Sequence, residues 1–254
     1  MTVDPVLIEH LADAAWPAAE QVPLGPWKLR ATHGVTRRAN SVFTAGRDDV
    51  RAGELERLIE EAERFYARRS LPGVFQISAG TGAKELDAML QRRGYSINAP
   101  SEVWAVSGDA LTPMQKACRG GEWRLRREDQ PDIGWFDCAF DEIAERRRVH
   151  EQIVRRVPPP RLYVAALVDG IVAGCGMATS AHDHTGIFCM ATRGAFQRRG
   201  IALELVSELC EWCRSLGDQC AFLQVMSDNE AAKALYRKVG FMHEYAYHYR
   251  VKSE

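Results

Sequence analysis

The feature that most constrains the fold is an ordered series of elements that occurs twice along the chain. The first copy is a strand, a helix, a Gly-aromatic pair and a second strand, at 74–77, 83–93, Gly94-Tyr95 and 101–106. The second copy keeps this order, at 221–225, 230–239, Gly240-Phe241 and 244–251. A long amphipathic helix precedes each copy, at 53–69 and 201–216. Because four elements match in order, the sequence predicts two similar α/β units.

Length and turn residues agree with this division. The 254 residues suit one large domain or two compact ones. Asp169-Gly170 separates the apolar runs 162–168 and 171–179, which favours a tight hairpin because a type I′ turn needs positive φ at both positions. We place the boundary near Leu111-Thr112-Pro113, so the predicted domains are 1–114 and 115–254.

Composition narrows the classes of partner and the compartment. The 33 Lys+Arg and 34 Asp+Glu give a net charge of −1, which offers no support for nucleic-acid binding. No run approaches the roughly 20 apolar residues of a membrane helix, and the first five residues do not resemble a signal peptide. The seven cysteines are scattered and odd in number, so we interpret them as reduced, buried thiols. A cytoplasmic protein with no membrane partner is therefore predicted.

A basic, glycine-containing turn marks the candidate binding site. It lies within residues 190–202, between the end of a predicted strand and the start of the helix 201–216. The first N–H groups of a helix have no partner within it, and the helix dipole adds positive charge there. Gly200 allows close approach to a phosphate, and Arg198 and Arg199 supply charge. The pattern predicts an anion site suited to a pyrophosphate.

This stretch resembles the signature of the GCN5-related N-acetyltransferases. Gln197-x-x-Gly200-x-Ala202 is similar to their Gln/Arg-x-x-Gly-x-Gly/Ala pattern, and Asn229 with residues 234–241 is similar to their second hallmark. The resemblance covers 123–251 and reaches the N-terminal half only through the repeat. It implies an α/β (α+β) fold of two tandem units, each a mixed, mostly antiparallel sheet flanked by helices, with acetyl-CoA as co-substrate and no metal.

The resemblance also implies a role for individual residues. Tyr236 would be the general acid that returns a proton to the departing thiolate, and Asn229 would contact the pantetheine. The strand main chain that would pair with the pantetheine arm is that of Met190, Ala191 and Thr192. The main chain that would hold the pyrophosphate is that of Gln197, Arg198, Arg199, Gly200, Ile201 and Ala202. An uncharged amine would attack the thioester, so a base or a water chain must first remove its ammonium proton.

Two positions depart from the family pattern, and the N-terminal half departs further. Family members often have proline at Gly194 and a hydrophobic residue at Thr192, but neither change removes a backbone donor. In the first copy Leu90 stands at the position of Tyr236, and residues 44–51 lack the signature. We therefore predict a degenerate N-terminal copy, in which the polar stretch 36–41 is either an acceptor-facing strand or a solvated one.

Other chemically suggestive groups have simpler interpretations. Cys210-x-x-Cys213 lies within a helix and has no second ligand pair, which argues against a metal or redox motif. The sequence 182–184, His-Asp-His, is favoured as a solvated turn and stays a candidate for the base. Glu142 and Glu145 lie on a predicted helix that ends before Pro158 and are candidates for binding the acceptor.

The sequence therefore predicts an acetyl-CoA-dependent N-acetyltransferase that acts on a primary amine in a ternary complex. The alternatives are a non-catalytic acyl-CoA-binding or sensing module and a transferase that resembles mycothiol synthase, which has the same tandem architecture. The amine acceptor, the base and the choice between monomer and homodimer stay open.

Overall fold

The computed structural model describes residues 3–45, 50, 52–111 and 123–252. These residues divide into an N-terminal unit, which takes 2–102 and 245–254, and a C-terminal unit, which takes 103–244. Two strands, Tyr95–Ser107 and Met242–Lys252, contribute residues to both units.

Helices and strands alternate along most of the chain. In order they are α1 (Pro5–Ala14), β1 (Glu20–Leu24), β2 (Trp27–Ala31), β3 (Val42–Phe43), α2 (Ala52–Ala67), β4 (Val74–Ser78), α3 (Lys84–Arg92), β5 (Tyr95–Ser107), β6 (Arg124–Glu128), α4 (Ile133–Ala139), α5 (Ala144–Arg155), β7 (Arg161–Val168), β8 (Ile171–Ala181), β9 (His184–Thr192), α6 (Ile201–Leu216), β10 (Cys220–Met226), α7 (Glu230–Val239) and β11 (Met242–Lys252). Among the described residues, no helix is long and apolar enough to cross a membrane.

The N-terminal unit has a mixed sheet in the order β1-β2-β3-β4-β11-β5. β3 pairs with β4 in parallel, and the β1–β2, β2–β3 and β4–β11 pairs are antiparallel. Apolar residues of α2 and α3, among them Leu58, Ile59 and Leu90, pack with Phe75 and Ile77 of β4 into one core. The predicted series of strand, helix and strand is therefore present in this unit.

A buried polar network lies under α1, which begins at the N-cap Asp4 and at Pro5. The Arg30 side chain is fully buried and donates to Asp13 Oδ1 at 2.6 Å, Ser41 Oγ at 2.7 Å and Gln76 Oε1 at 2.7 Å. Burial by itself raises the pKa of Asp13, but the charges of Arg30 and Lys28 outweigh it and hold that pKa below its usual range. The network ties α1 to β2 and β4.

Replacing Arg30 by leucine is expected to lower the free energy of unfolding by about 3–5 kcal/mol, because Asp13 would stay buried without its main partner. The wild-type contribution is present above the unfolded pKa of an aspartate and is lost as the pH falls through the lowered folded value. Urea unfolding at pH 7 and at pH 3 measures both effects. Arg57→Leu is the control, since Arg57 is 55% exposed and pairs with Glu61 on the surface; its loss is expected to cost less than about 1 kcal/mol. An equal effect of the two variants would contradict this assignment.

The stretch 36–41, predicted as a strand, is a turn. Asn40 holds it, since its Nδ2 donates to the carbonyls of Val35 and Thr36 at 2.6 and 2.8 Å and its Oδ1 accepts from Thr32 N at 2.6 Å. An asparagine that bonds its neighbours' backbone competes with strand pairing, which explains the error.

The C-terminal unit has a sheet in the order β5-β10-β9-β8-β7-β6. The β6–β7, β7–β8 and β8–β9 pairs are antiparallel, and β10 pairs with β9 in parallel. Asp169 and Gly170 have positive φ at the β7–β8 turn, as the hairpin requires. Leu205 and Leu209 of α6 and Tyr236 of α7 pack with strand residues such as Val164 and Leu223 into one core. Both helices begin and end at the predicted residues.

The predicted helix around Glu142 and Glu145 is interrupted. Residues 140–143 separate α4 from α5, and Phe140 has φ −134° and ψ 81°. Its ring stacks on His150 of α5 with the ring centroids 4.3 Å apart. Glu142 therefore lies outside the helix, where it contacts His150, and Glu145 lies in the first turn of α5.

Candidate active site

The two central strands of the C-terminal unit separate before they end. The parallel pairing of β9 with β10 runs from His184–Cys220 to Ile187–Leu223, whereas the strands continue to Thr192 and Met226. In the described part of the chain, no pair between these strands follows Leu223. The facing backbone groups of the last residues are therefore available to a ligand.

A β-bulge in β9 accompanies this separation. Met177 lies opposite Phe188 and Cys175 opposite Ala191, so two residues of β9, Cys189 and Met190, face a single residue of β8. Cys189 has a positive φ of 54°. The residue opposite the bulge is Gly176, where a Cβ would lie 2.6 Å from Met190 Sδ. The bulge bends β9, and the small Gly176 leaves room for the Met190 side chain.

The turn into α6 has the geometry of an anion site. Gly200 is the N-cap residue in a left-handed conformation, with φ 93° and ψ −4°, and no side chain of the described residues caps the helix. Positive φ favours glycine at this position. A Cβ there would meet only the Trp123 ring, at 3.8 Å, so the space above the turn is open. The first N–H groups of α6 are thus free for a ligand.

One cavity of about 570 Å³ brings the strand end, the turn and α7 together. Its lining residues are Met190, Ala191, Thr192, Phe196, Gln197, Arg198, Gly200, Ile201, Ala202, Leu203, Asn229, Ala231, Ala232, Leu235, Tyr236 and Lys238. Every predicted site residue is among them except Arg199, whose guanidinium lies over the Phe196 ring, 5.4 Å from its centroid. The described lining residues include two cations, Arg198 and Lys238, and no acidic residue. The cavity is therefore electropositive.

Two predicted residues of α7 differ in their surroundings. Asn229 is the N-cap residue, and its side chain accepts from Ala232 N at 3.0 Å, so it holds the start of the helix as well as lining the cavity. Tyr236 lies further along α7 and is buried, with 7% of its surface exposed. Burial raises the pKa of Tyr236 to about 12. Its hydroxyl therefore carries a proton throughout the neutral range.

The other candidates lie apart from this cavity. His182 and Asp183 form the exposed β8–β9 turn, where both have positive φ. Cys210 and Cys213 are buried in the α6 core, and burial raises the pKa of the Cys213 thiol to about 11. Among the described residues, no group of three or more His, Cys, Asp or Glu could hold a metal ion.

The N-terminal unit lacks the corresponding side chain. Leu90, at the position of Tyr236 in the repeat, is fully buried in the apolar core. Residues 46–49 and 51, which include most of the stretch where a signature is missing, lie outside the described residues.

Sequence reasoning missed the apolar part of the cavity and the bulge. Ala231, Ala232 and Leu235 follow the helical spacing of α7 and could have been found from Tyr236. The sequence of β9 does not indicate the bulge, because the residue opposite it, Gly176, lies on the neighbouring strand.

Comparison with solved structures defines the fold class. A GCN5-related N-acetyltransferase from Kribbella flavida matches all of this chain and 97% of its own, with a TM-score of 0.77 at 14% identity. A tandem GNAT protein from the clavulanic acid biosynthesis pathway matches 80% of this chain and 71% of its own, with a TM-score of 0.65 at 13% identity. The fold is that of the GCN5-related N-acetyltransferases.

Comparison of sequences gives the family. The chain is 30% identical over 249 residues to the uncharacterized N-acetyltransferase YobR of Bacillus subtilis (strain 168), across 96% of this chain and 97% of that protein. Residues 4–250 match the family described as probable histone acetyltransferase Rv0428c C-terminal. The chain belongs to this family, and it is an acyltransferase of the N-acetyltransferase class.

Proposed function

We propose that this protein transfers an acetyl group from acetyl-CoA to a primary amine, by direct attack in a ternary complex, at the cavity of the C-terminal unit. The observation that carries the proposal is the convergence of a separated strand, an uncapped helix start and a buried tyrosine on one electropositive cavity.

The residues of the turn fit a diphosphate. The N–H groups at the start of α6 would donate to its oxygens, and Gly200 leaves room for them. Arg198 and Lys238, which line the same cavity, would add positive charge. The main chain of residues 190–192, beyond the last pair with β10, would bind the pantetheine amides as a neighbouring strand does.

Acetyl-CoA supplies an activated thioester. The protein would stabilise the negative charge that develops on it and donate a proton to its leaving group. A backbone N–H of β9 would donate to the thioester carbonyl oxygen as negative charge develops there. Tyr236 would donate its proton to the sulfur of the leaving thiolate. A hydroxyl whose pKa is about 12 stays protonated until that moment, which suits an acid and excludes Tyr236 as the base at neutral pH.

We propose that the N-terminal unit is a degenerate copy that makes no second acetyl-CoA site. The position of Tyr236 is occupied there by Leu90, whose burial leaves no polar group at that point. One acetyl-CoA per chain is the expected stoichiometry.

A thiol-release assay tests the proposal. Purified protein, acetyl-CoA and a panel of ethylamine, spermidine, glucosamine and a lysine peptide are expected to give amine-dependent CoA release and a mass gain of one acetyl group on an amine. Titration calorimetry in parallel is expected to give one acetyl-CoA per chain. Binding without release on any of these amines would favour the binding-module alternative, and absence of binding would contradict the proposal itself.

A further inference from the structure

Three cysteines that the cavity does not use converge in the C-terminal unit. They are Cys138 of α4, Cys175 of β8 and Cys189 of the bulge in β9. The Cys175 thiol donates to the Cys189 carbonyl at 3.8 Å, and the side chains of Cys138 and Cys175 contact each other. These elements are far apart in sequence, so the sequence shows no motif.

The cluster lies on the face of the sheet away from α6. A Cβ at Gly174 would meet Ile201, and one at Gly176 would meet Leu209, so both positions face α6. Cys175 lies between them, and successive residues of a strand point to opposite faces. The thiols are therefore separated by the sheet from Cys210 and Cys213 of α6.

A positive charge adjoins Cys138. Arg193 follows β9, where its N–H donates to the Ala173 carbonyl at 2.9 Å. Its Nε is buried and has no hydrogen-bond partner among the described residues. The Cys175 thiol and the Arg193 charge hold the pKa of Cys138 below its usual range, against the effect of burial. A thiolate at Cys138 would be stabilised by the charge of the adjoining Arg193 guanidinium.

The other thiols that the structure describes in this unit lack these features. Cys210, Cys213 and Cys220 are buried, and burial raises the pKa of each. Cys189, by contrast, is half-buried, and Cys138 is 6% exposed. Of the thiols between 123 and 244, those of this cluster are therefore expected to react with a small oxidant.

We propose that Cys138 and Cys175 form a peroxide-reactive thiol pair, in which Cys138 is the nucleophile and Cys175 the resolving thiol. The assignment stands on the convergence of the two side chains from α4 and β8 and on the Arg193 side chain beside Cys138, whose buried Nε has no partner among the described residues. It does not depend on the acetyl-transfer proposal.

The chemistry uses hydrogen peroxide as the oxidant. The Cys138 thiolate attacks one peroxide oxygen, an S–O bond forms, the O–O bond breaks, and the departing hydroxide takes a proton to become water. The Cys175 sulfur then attacks the sulfenic acid, an S–S bond forms, the S–O bond breaks, and a second water leaves with the Cys175 proton. Two thiols are oxidised by two electrons, and one peroxide is reduced to two waters. The product links α4 to β8 beneath the bulge.

Mass spectrometry of the full chain tests this. Reduced protein is treated with hydrogen peroxide, quenched in acid, alkylated in denaturant and digested without reductant. Two of the seven cysteines are expected to resist alkylation, and the digest is expected to contain a Cys138–Cys175 cross-linked peptide. Seven alkylated thiols, or a cross-link that includes any other cysteine, would overturn the proposal.

Variants separate the two roles. Cys175→Ala is expected to stop the reaction at a Cys138 sulfenic acid, which dimedone labels, and Cys138→Ser is expected to abolish both products. Cys210→Ser, a change of a buried thiol on the other face, is expected to leave the cross-link unchanged. Dimedone labelling of Cys189 in place of Cys138 would also count against the proposal. The wild-type digest decides the question even if a variant fails to fold.

Discussion

Tyr236→Phe is expected to lower kcat about 100-fold or more, because general acid catalysis by a positioned side chain contributes about 10²–10⁴-fold. The variant keeps the ring, which packs edge-to-face on Phe241 with centroids 6.0 Å apart, and removes only the hydroxyl. The affinity for acetyl-CoA should change little, since the hydroxyl acts on the sulfur as it departs. Steady-state kinetics with the amine found by thiol release, together with calorimetry, measures both quantities.

The matched control is Tyr95→Phe. Tyr95 is another buried tyrosine, and its hydroxyl donates to Glu63 at 2.9 Å in the N-terminal unit. The Tyr95→Phe variant should leave kcat unchanged. A wild-type kcat in Tyr236→Phe would remove Tyr236 from the mechanism, and weaker acetyl-CoA binding at constant kcat would make it a binding residue.

Gly200→Asp is expected to weaken acetyl-CoA binding more than a hundredfold. A carboxylate about 5 Å from one phosphate charge, at an effective dielectric constant of about 20, opposes binding by about 3 kcal/mol. The positive φ of 93° adds backbone strain for any L side chain. Calorimetric titration with acetyl-CoA at low and moderate salt measures the loss, part of which should be screened.

Gly217→Asp controls for both the charge and the strain. Gly217 ends the same helix with φ 78°, and a Cβ there meets nothing within 4 Å. The 16 residues of α6 place it about 24 Å from Gly200. The Gly217→Asp variant should bind acetyl-CoA with the Kd of the wild type. Equal losses in the two variants would indicate a general effect on α6, and no loss in Gly200→Asp would exclude the turn as the diphosphate site.

Local signals predicted the elements that build the candidate site. The bounds of α6 and α7 follow from their apolar periodicity and from Gly217 and Gly240, each of which ends its helix in a left-handed conformation. The β7–β8 hairpin follows from Asp169-Gly170, because both residues take the positive φ that its tight turn requires. The turn at Gly200 joins a strand and a helix that can both be predicted from the sequence. Its position in the cavity could therefore be predicted as well.

Features that depend on distant residues could not be predicted. Asp13 and Arg30 look like surface residues in the sequence, but α1 and β2 bring them together, and Arg30 also donates to Ser41 and to Gln76 of β4. The second part of β11 pairs with β4, as in Tyr247–Ser78, and no local pattern identifies that partner. The thiol cluster is of the same kind, since three separate elements compose it.

The most direct test of the central claim is a crystal structure with CoA bound. We predict that the diphosphate lies on the backbone of residues 197–202, at the start of α6, and that the CoA sulfur lies within hydrogen-bonding reach of the Tyr236 hydroxyl. A diphosphate bound away from Gly200, or a CoA sulfur remote from Tyr236, would contradict the account.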